Sequence, residues 1–154
     1  MGNAKQGRKK VPVETPKSIK VAFHLYTEFF RWSFEKCFWG HSGWIDCTNL
    51  QFFAEHIISK LQDFESMKWQ EILESAGGKS EGKGTNNHFI NAEKLPKKEK
   101  VEFEKRGFKD QFDEVFSLRL SGEERLFGVV DLNKFYVLWY DAEHKFFPVK
   151  LKHA

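Results

Sequence analysis

The chain has 154 residues, of which 40 % are hydrophobic and 31 % charged, and seventeen Phe and five Trp give it material for one well-filled core under a solvated surface. No apolar run approaches the roughly 18 residues that a membrane crossing needs, and the N-terminus lacks the apolar stretch of a secretory leader. No membrane and a cytoplasmic location are therefore the expectations, with Cys37 and Cys47, too few for a disulfide framework, as reduced thiols.

The net charge of +3 is unevenly spread. Residues 1–20 hold Lys5, Arg8, Lys9, Lys10, Lys17 and Lys20 against Glu14, a balance of +5 that leaves −2 for the rest. They read as a basic flexible arm, either following a phosphate backbone by counterion release or acting as a solubilising tail. Residues 21–154 read as a single α+β domain. Val21 to Phe29 is ambiguous between strand and helix. Phe30, Trp32 and Phe34 then alternate with Arg31, Ser33 and Glu35, the period of a half-buried strand.

A helix follows, capped by Thr48 or Asn49, with Leu50, Phe53, Ala54, Ile57, Ile58, Leu61 and Phe64 on one face. Ser66 is placed to cap a shorter helix, Met67 to Ser75, turning Trp69, Ile72 and Leu73 inward. Residues 77–87 have the composition of a loop. His88-Phe89-Ile90 reads as a short extended piece, with His88 beside Asn86 and Asn87 as either a solvated residue or a contributor to a site. Pro96 can start a charged helix through Arg106 that Gly107 ends.

Three strand-like runs close the chain, Val115 to Leu120, Arg125 to Val130 and Phe135 to Tyr140, separated by Ser121-Gly122 and Asp131-Leu132-Asn133. Together they predict a C-terminal three-strand meander in an antiparallel sheet with helices packed on one face. Strict alternation puts Phe116, Leu118 and Leu120 on one side and Ser117 and Arg119 on the other. Leu126, Gly128 and Val130 oppose Arg125, Phe127 and Val129, and Phe135, Val137 and Trp139 oppose Tyr136, Leu138 and Tyr140. With the right hairpin register Arg119 and Arg125 share a side. Two guanidinium groups there would hold a phosphodiester; the alternative is that each pairs with Glu123, Glu124 or Asp131 at the surface.

The run EERLFGVVDLNKFYVLWYDAEHKF resembles the C-terminal half of the RelE/ParE superfamily of toxin–antitoxin systems. In the mRNA-cleaving branch an arginine on the middle strand contacts the scissile phosphate, and Arg125 stands at the matching place. Arg119 matches the basic residue one strand earlier, and His144 the histidine after the last strand. The usual aromatic beside that histidine is replaced by Lys145. The resemblance implies an RNA-binding, metal-independent endoribonuclease without cofactor. Arg125, Arg119 and His144 would be catalytic, and Lys145, Tyr136, Tyr140 and His88 would bind RNA. It also implies RNA, free or ribosome-bound, and an acidic antitoxin-like protein as partners. The alternatives are a non-catalytic protein-interaction module and a ParE-like inhibitor of the same fold.

Two further groups stand apart. Cys37, His41 and Cys47, with His24 and His56 further off, lack the paired spacing of a structural zinc site, so buried thiols are expected and no metal. The dense aromatics from Phe23 to Trp44 fit either a core strand with its flanks or a partner-binding surface.

Overall fold

The computed structural model describes residues 25–40, 49–75 and 86–147. The basic arm, Cys47, His41 and most of the 77–87 loop lie outside the described residues. Among the described residues the strands form one sheet in the order β1-β5-β4-β3-β2, from β1 (Arg31–Ser33), β2 (His88–Asn91), β3 (Glu114–Arg119), β4 (Arg125–Asp131) and β5 (Lys134–Asp141). The meander β3-β4-β5 expected from the sequence is there, and β2 adds to it antiparallel. β1 pairs in parallel with β5, Trp32 beside Phe135, so the sheet is mixed.

Helix α1 runs as α-helix over Leu50–Phe53, as π-helix over Ala54–Ile58 and again as α-helix over Ser59–Glu65. The Asn49 side chain caps it, accepting from the Phe52 amide at 2.9 Å. The wider π turn advances the inward stripe by one residue. Ile57 and Leu61 are buried and Phe53 packs inward as the periodicity indicates, but ahead of the π turn Phe52 packs inward as well, and Leu50 is 80 % exposed. The second helix, α2, is Trp69–Glu74, two residues shorter at its start than the periodicity suggests. The Ser66 hydroxyl donates back to the Asp63 carbonyl, and the Glu71 carboxylate instead accepts the Lys68 amide at 2.8 Å.

These two helices cover one face of the sheet, where Ile57, Leu61, Trp69 and Ile72 pack on Phe116, Leu118, Leu126, Phe135 and Val137. Trp69 anchors this core: its indole lies 5.0 Å from Phe30 and 5.1 Å from Phe116, and its N–H donates to the Asn133 carbonyl at 2.8 Å. Helix α3, Lys97–Lys105, follows Pro96 and ends at Gly107, whose φ of 81° suits a residue without Cβ. It lies over the other face, with Phe103, Phe108 and Phe112 on Val115, Phe127, Val129 and Trp139. The α+β class holds, but helices cover both faces of the sheet rather than the one expected, because Phe103 on α3 gives that helix its own apolar contact with the face opposite α1 and α2.

One face assignment is corrected. The register of β4 against β5 pairs Phe127 with Trp139 but Gly128 with Val137, so Leu138 is an extra residue on β5. This bulge reverses the alternation beyond it. Trp139 joins Phe103 and Phe127 on the α3 face, whereas Tyr140 joins the α1 face with Phe135 and Val137. The Leu138 carbonyl accepts the Phe38 amide at 3.1 Å and the Cys37 thiol at 3.5 Å. Gly128 permits the close approach at this point, since a Cβ there would lie 1.9 Å from the Tyr136 carbonyl oxygen.

Candidate functional site

The hairpin between β3 and β4 and the turn after β5 lie at one end of the sheet. Arg119 and Arg125 are directly opposed partners in the register, and Asp141 is the next residue across on β5. Opposed side chains on antiparallel strands stand about 5 Å apart at Cβ, and like charges in that position destabilise. All three share the α3 face with Phe127 and Trp139. One pair further in, on the same face, His88 on edge strand β2 sits opposite Ser117. The register thus gathers His88, Ser117, Arg119 and Arg125 at one end of one face.

Carbonyl oxygens of the hairpin offset the arginine repulsion. Arg119 donates through Nε to the Ser121 carbonyl at 3.0 Å and through Nη1 to the Asn86 side chain at 2.6 Å. Arg125 Nη1 donates to the carbonyls of Ser121, Gly122 and Glu124 at 3.0–3.1 Å. Neither arginine forms a carboxylate ion pair among the described residues. Burial and the neighbouring Arg119 charge lower the Arg125 pKa, and Asp141 opposes them. A guanidinium nonetheless stays protonated at any physiological pH.

His144 stands in the turn after β5 with a φ of 56°. Asp141 is buried and holds this turn, one carboxylate oxygen accepting the Lys145 amide at 2.9 Å and the other the Phe146 amide at 2.8 Å. The chain then folds back over the α3 face, where Phe146 stacks on Phe127 at 4.9 Å and meets Trp139 at 5.8 Å. The turn carrying His144 and Lys145 is therefore tied to the face and the sheet end that carry the arginines. No hydrogen bond joins His144 to Arg119 or Arg125 among the described residues. Lys145 is exposed and pairs with Glu143 at 2.7 Å, a contact that raises its pKa.

The two tyrosines part company. Tyr136 is half-buried at the opposite end of β5, with Lys36 and Lys134 ammonium groups 5.0 and 5.6 Å from its ring centre. Tyr140, expected to stack on bases, is 2 % exposed, and its hydroxyl donates to the Glu124 carboxylate. The bulge puts its ring on the α1 face, away from Arg119 and Arg125.

On that α1 face a cluster appears that the sequence reading did not assemble. Glu124 accepts from the Ser121 hydroxyl at 2.6 Å and from Tyr140, and His56 Nδ1 lies 3.2 Å from the same carboxylate. Burial raises the Glu124 pKa, but bonds from Ser121 and Tyr140 and the nearby His56 outweigh it and hold the group below its ordinary value. Burial and the Glu124 carboxylate push Tyr140 well above the usual phenol range. His56 belongs to the π turn of α1 and stacks on Phe52 at 4.3 Å. Its one sequence signal was a lone histidine in a helix, 68 residues from Glu124.

A groove of about 750 Å³ lies elsewhere on the α3 side, lined by Phe38, Trp39, Val101, Lys97, Lys98 and Arg106 among others. None of the predicted site residues lines it. Among the described residues no group of three His, Cys, Asp or Glu side chains is placed to hold a metal ion, and no helix is long and apolar enough to cross a membrane. Comparison of the chain with protein-family models, with curated proteins and with solved structures finds no match.

Proposed function

We propose that this protein is a toxin-like, RNA-binding endoribonuclease that grips a phosphodiester between Arg119 and Arg125 at the hairpin end of the sheet. The observation that carries the reading is the direct cross-strand opposition of the two arginines on one face, with His88 one pair inward and the His144 turn tied to Asp141 beside them. Two arginines opposed across neighbouring strands against their own repulsion are suited to a ligand with spread negative charge.

The chemistry needs no metal. His144 or a neighbouring carboxylate takes the proton of a ribose 2′-hydroxyl, and that oxygen attacks the adjacent phosphorus. The bond to the 5′-oxygen breaks, and this oxygen takes a proton from the second of these groups or from water, giving a 2′,3′-cyclic phosphate and a 5′-hydroxyl. Arg119 and Arg125 stabilise the charge that builds on the non-bridging oxygens. Lys145 adds positive potential at the rim, and Tyr136, beside Lys36 and Lys134, offers a ring to a more distant base. The message is taken free or on the ribosome, and an acidic antitoxin-like partner covering the arginine end would neutralise the protein.

The test incubates purified protein with free message and with ribosome-bound message in the presence of a chelator. Cleavage leaving cyclic-phosphate ends, lost in Arg125→Ala and in His144→Ala, is the expected result. Intact RNA in both preparations overturns the reading. Growth arrest without cleavage would then point to a ParE-like inhibitor, and a stable complex with an acidic protein without toxicity to an interaction module.

A further inference from the structure

The hairpin that holds the arginines is itself held from the opposite face. Residues 120–124 connect β3 to β4, and on one side the carbonyls of Ser121, Gly122 and Glu124 receive one bond from Arg119 and three from Arg125. On the other side the Glu124 carboxylate collects bonds from three separate elements: Ser121 in the hairpin, Tyr140 on β5 and His56 in the π turn of α1. The Glu124 carbonyl also closes the hairpin by accepting the Leu120 amide at 2.9 Å. One residue thus contributes its side chain to the α1 face and its carbonyl to Arg125.

We propose that Glu124 is the positioning residue of the arginine site: it docks the hairpin onto Tyr140 and His56 so that the hairpin carbonyls aim the Arg119 and Arg125 guanidinium groups at a common phosphate. The proposal rests on the phosphate-binding reading of Arg119 and Arg125. Its geometry follows from the bulge at Leu138 and the π turn. The bulge turns Tyr140 toward Glu124, and the π turn carries His56 to the same carboxylate. A carboxylate with three donors is charged and oriented, so it fixes the loop more firmly than a neutral side chain would. Glu124 touches no phosphate; it acts through the hairpin carbonyls.

The experiment compares wild type with Glu124→Gln, Tyr140→Phe and Ser121→Ala by two readouts. The first is the NMR signal of the Arg119 Nε–H, which donates to the Ser121 carbonyl and should be slowed in its exchange with water. In Glu124→Gln that exchange should speed up at least about fivefold, as expected when a hydrogen bond worth about 1 kcal/mol is loosened. The second is affinity for a short single-stranded RNA, which should weaken about five- to tenfold in Glu124→Gln and less in Ser121→Ala, while thermal unfolding of Ser121→Ala stays near wild type. Wild-type exchange at Arg119 Nε in both Glu124→Gln and Ser121→Ala overturns the proposal, whatever the RNA result. Faster exchange in Glu124→Gln, with a wild-type protein that binds no RNA, supports Glu124 as organiser of the hairpin and removes the phosphate-binding reading instead. If Glu124→Gln does not fold, Ser121→Ala and Tyr140→Phe carry both readouts.

Discussion

The two faces of the sheet meet the same hairpin in opposite ways. On the α1 face the Glu124 carboxylate has complementary neighbours, Ser121, Tyr140 and His56, and Phe52 stacks over the histidine. On the α3 face two like charges oppose each other with no carboxylate in ion-pair reach among the described residues, and main-chain oxygens carry the compensation. A satisfied cluster builds stability, whereas opposed charges leave potential for a ligand. The bulge at Leu138 makes this division, because without it Tyr140 would lie beside the arginines and Trp139 beneath α1.

The most direct way to break the division is Gly128→Ala. The added Cβ would overlap the Tyr136 carbonyl and sit 2.8 Å from the Phe135 ring, so β4 and β5 would have to part at the bulge. A loss of about 3 kcal/mol or more is expected in urea denaturation. A variant within about 1 kcal/mol of wild type would show that the bulge adapts at small cost.

The next effect in size isolates the α3 face. In Asp141→Ala the Lys145 and Phe146 amides lose their acceptor, and Arg125 loses an acidic neighbour opposing its repulsion from Arg119. A destabilisation of about 2 kcal/mol is expected by denaturant titration. On the proposed RNA-cleaving reading, the loss of cleavage should exceed what that destabilisation alone explains, because the turn carrying His144 is released. Cleavage at the wild-type rate at a temperature where the variant stays folded would separate the turn from the chemistry.

How much of this was legible in the sequence follows from what is local and what is not. Strand alternation and turn residues marked β3, β4 and β5 to within a residue or two, and Pro96 with Gly107 bounded α3 through backbone preferences each residue carries alone. The hairpin at Ser121-Gly122 is short, so the facing of Arg119 and Arg125 was within reach. The bulge was not: from Phe135 to Tyr140 every residue is apolar or aromatic, and such a run gives no sign of where alternation slips. The π turn left no signature either, because a helix of normal period fits the same apolar positions. The parallel pairing of β1 with β5 and the meeting of His56 with Glu124 depend on packing between segments far apart in the chain, where local pattern has nothing to say.

A smaller effect sharpens the electrostatic half of the comparison. Replacing Arg119 or Arg125 by Ala removes one of two opposed charges and also one to three bonds to hairpin carbonyls, so stability should change by only about 1 kcal/mol. Affinity for a short RNA, measured against salt, should fall, with the slope decreasing by about 1 for each arginine removed. A slope unchanged in both variants would place the phosphate contacts elsewhere on the chain.

The smallest expected effect probes the α1 face by pH. Glu124 sits below its ordinary value of 4.5 in the folded chain because the bonds from Ser121 and Tyr140 and the neighbouring His56 outweigh its burial. As acid is added, the unfolded chain takes up this proton first. The contribution is therefore complete above the unfolded value and is lost as pH falls through the folded one. Tyr140 runs the other way: burial and Glu124 raise its pKa, so its contribution is complete below the ordinary phenol value of 10.0 and fades as pH rises through the folded value. The stability difference between wild type and Glu124→Gln should thus be level from pH 6 to 9 and shrink below about pH 4.5. Urea midpoints across that range measure it. A difference that stayed constant into acid would mean that the Glu124 charge does no more than an amide of the same shape, leaving the contrast between the faces to rest on the arginines.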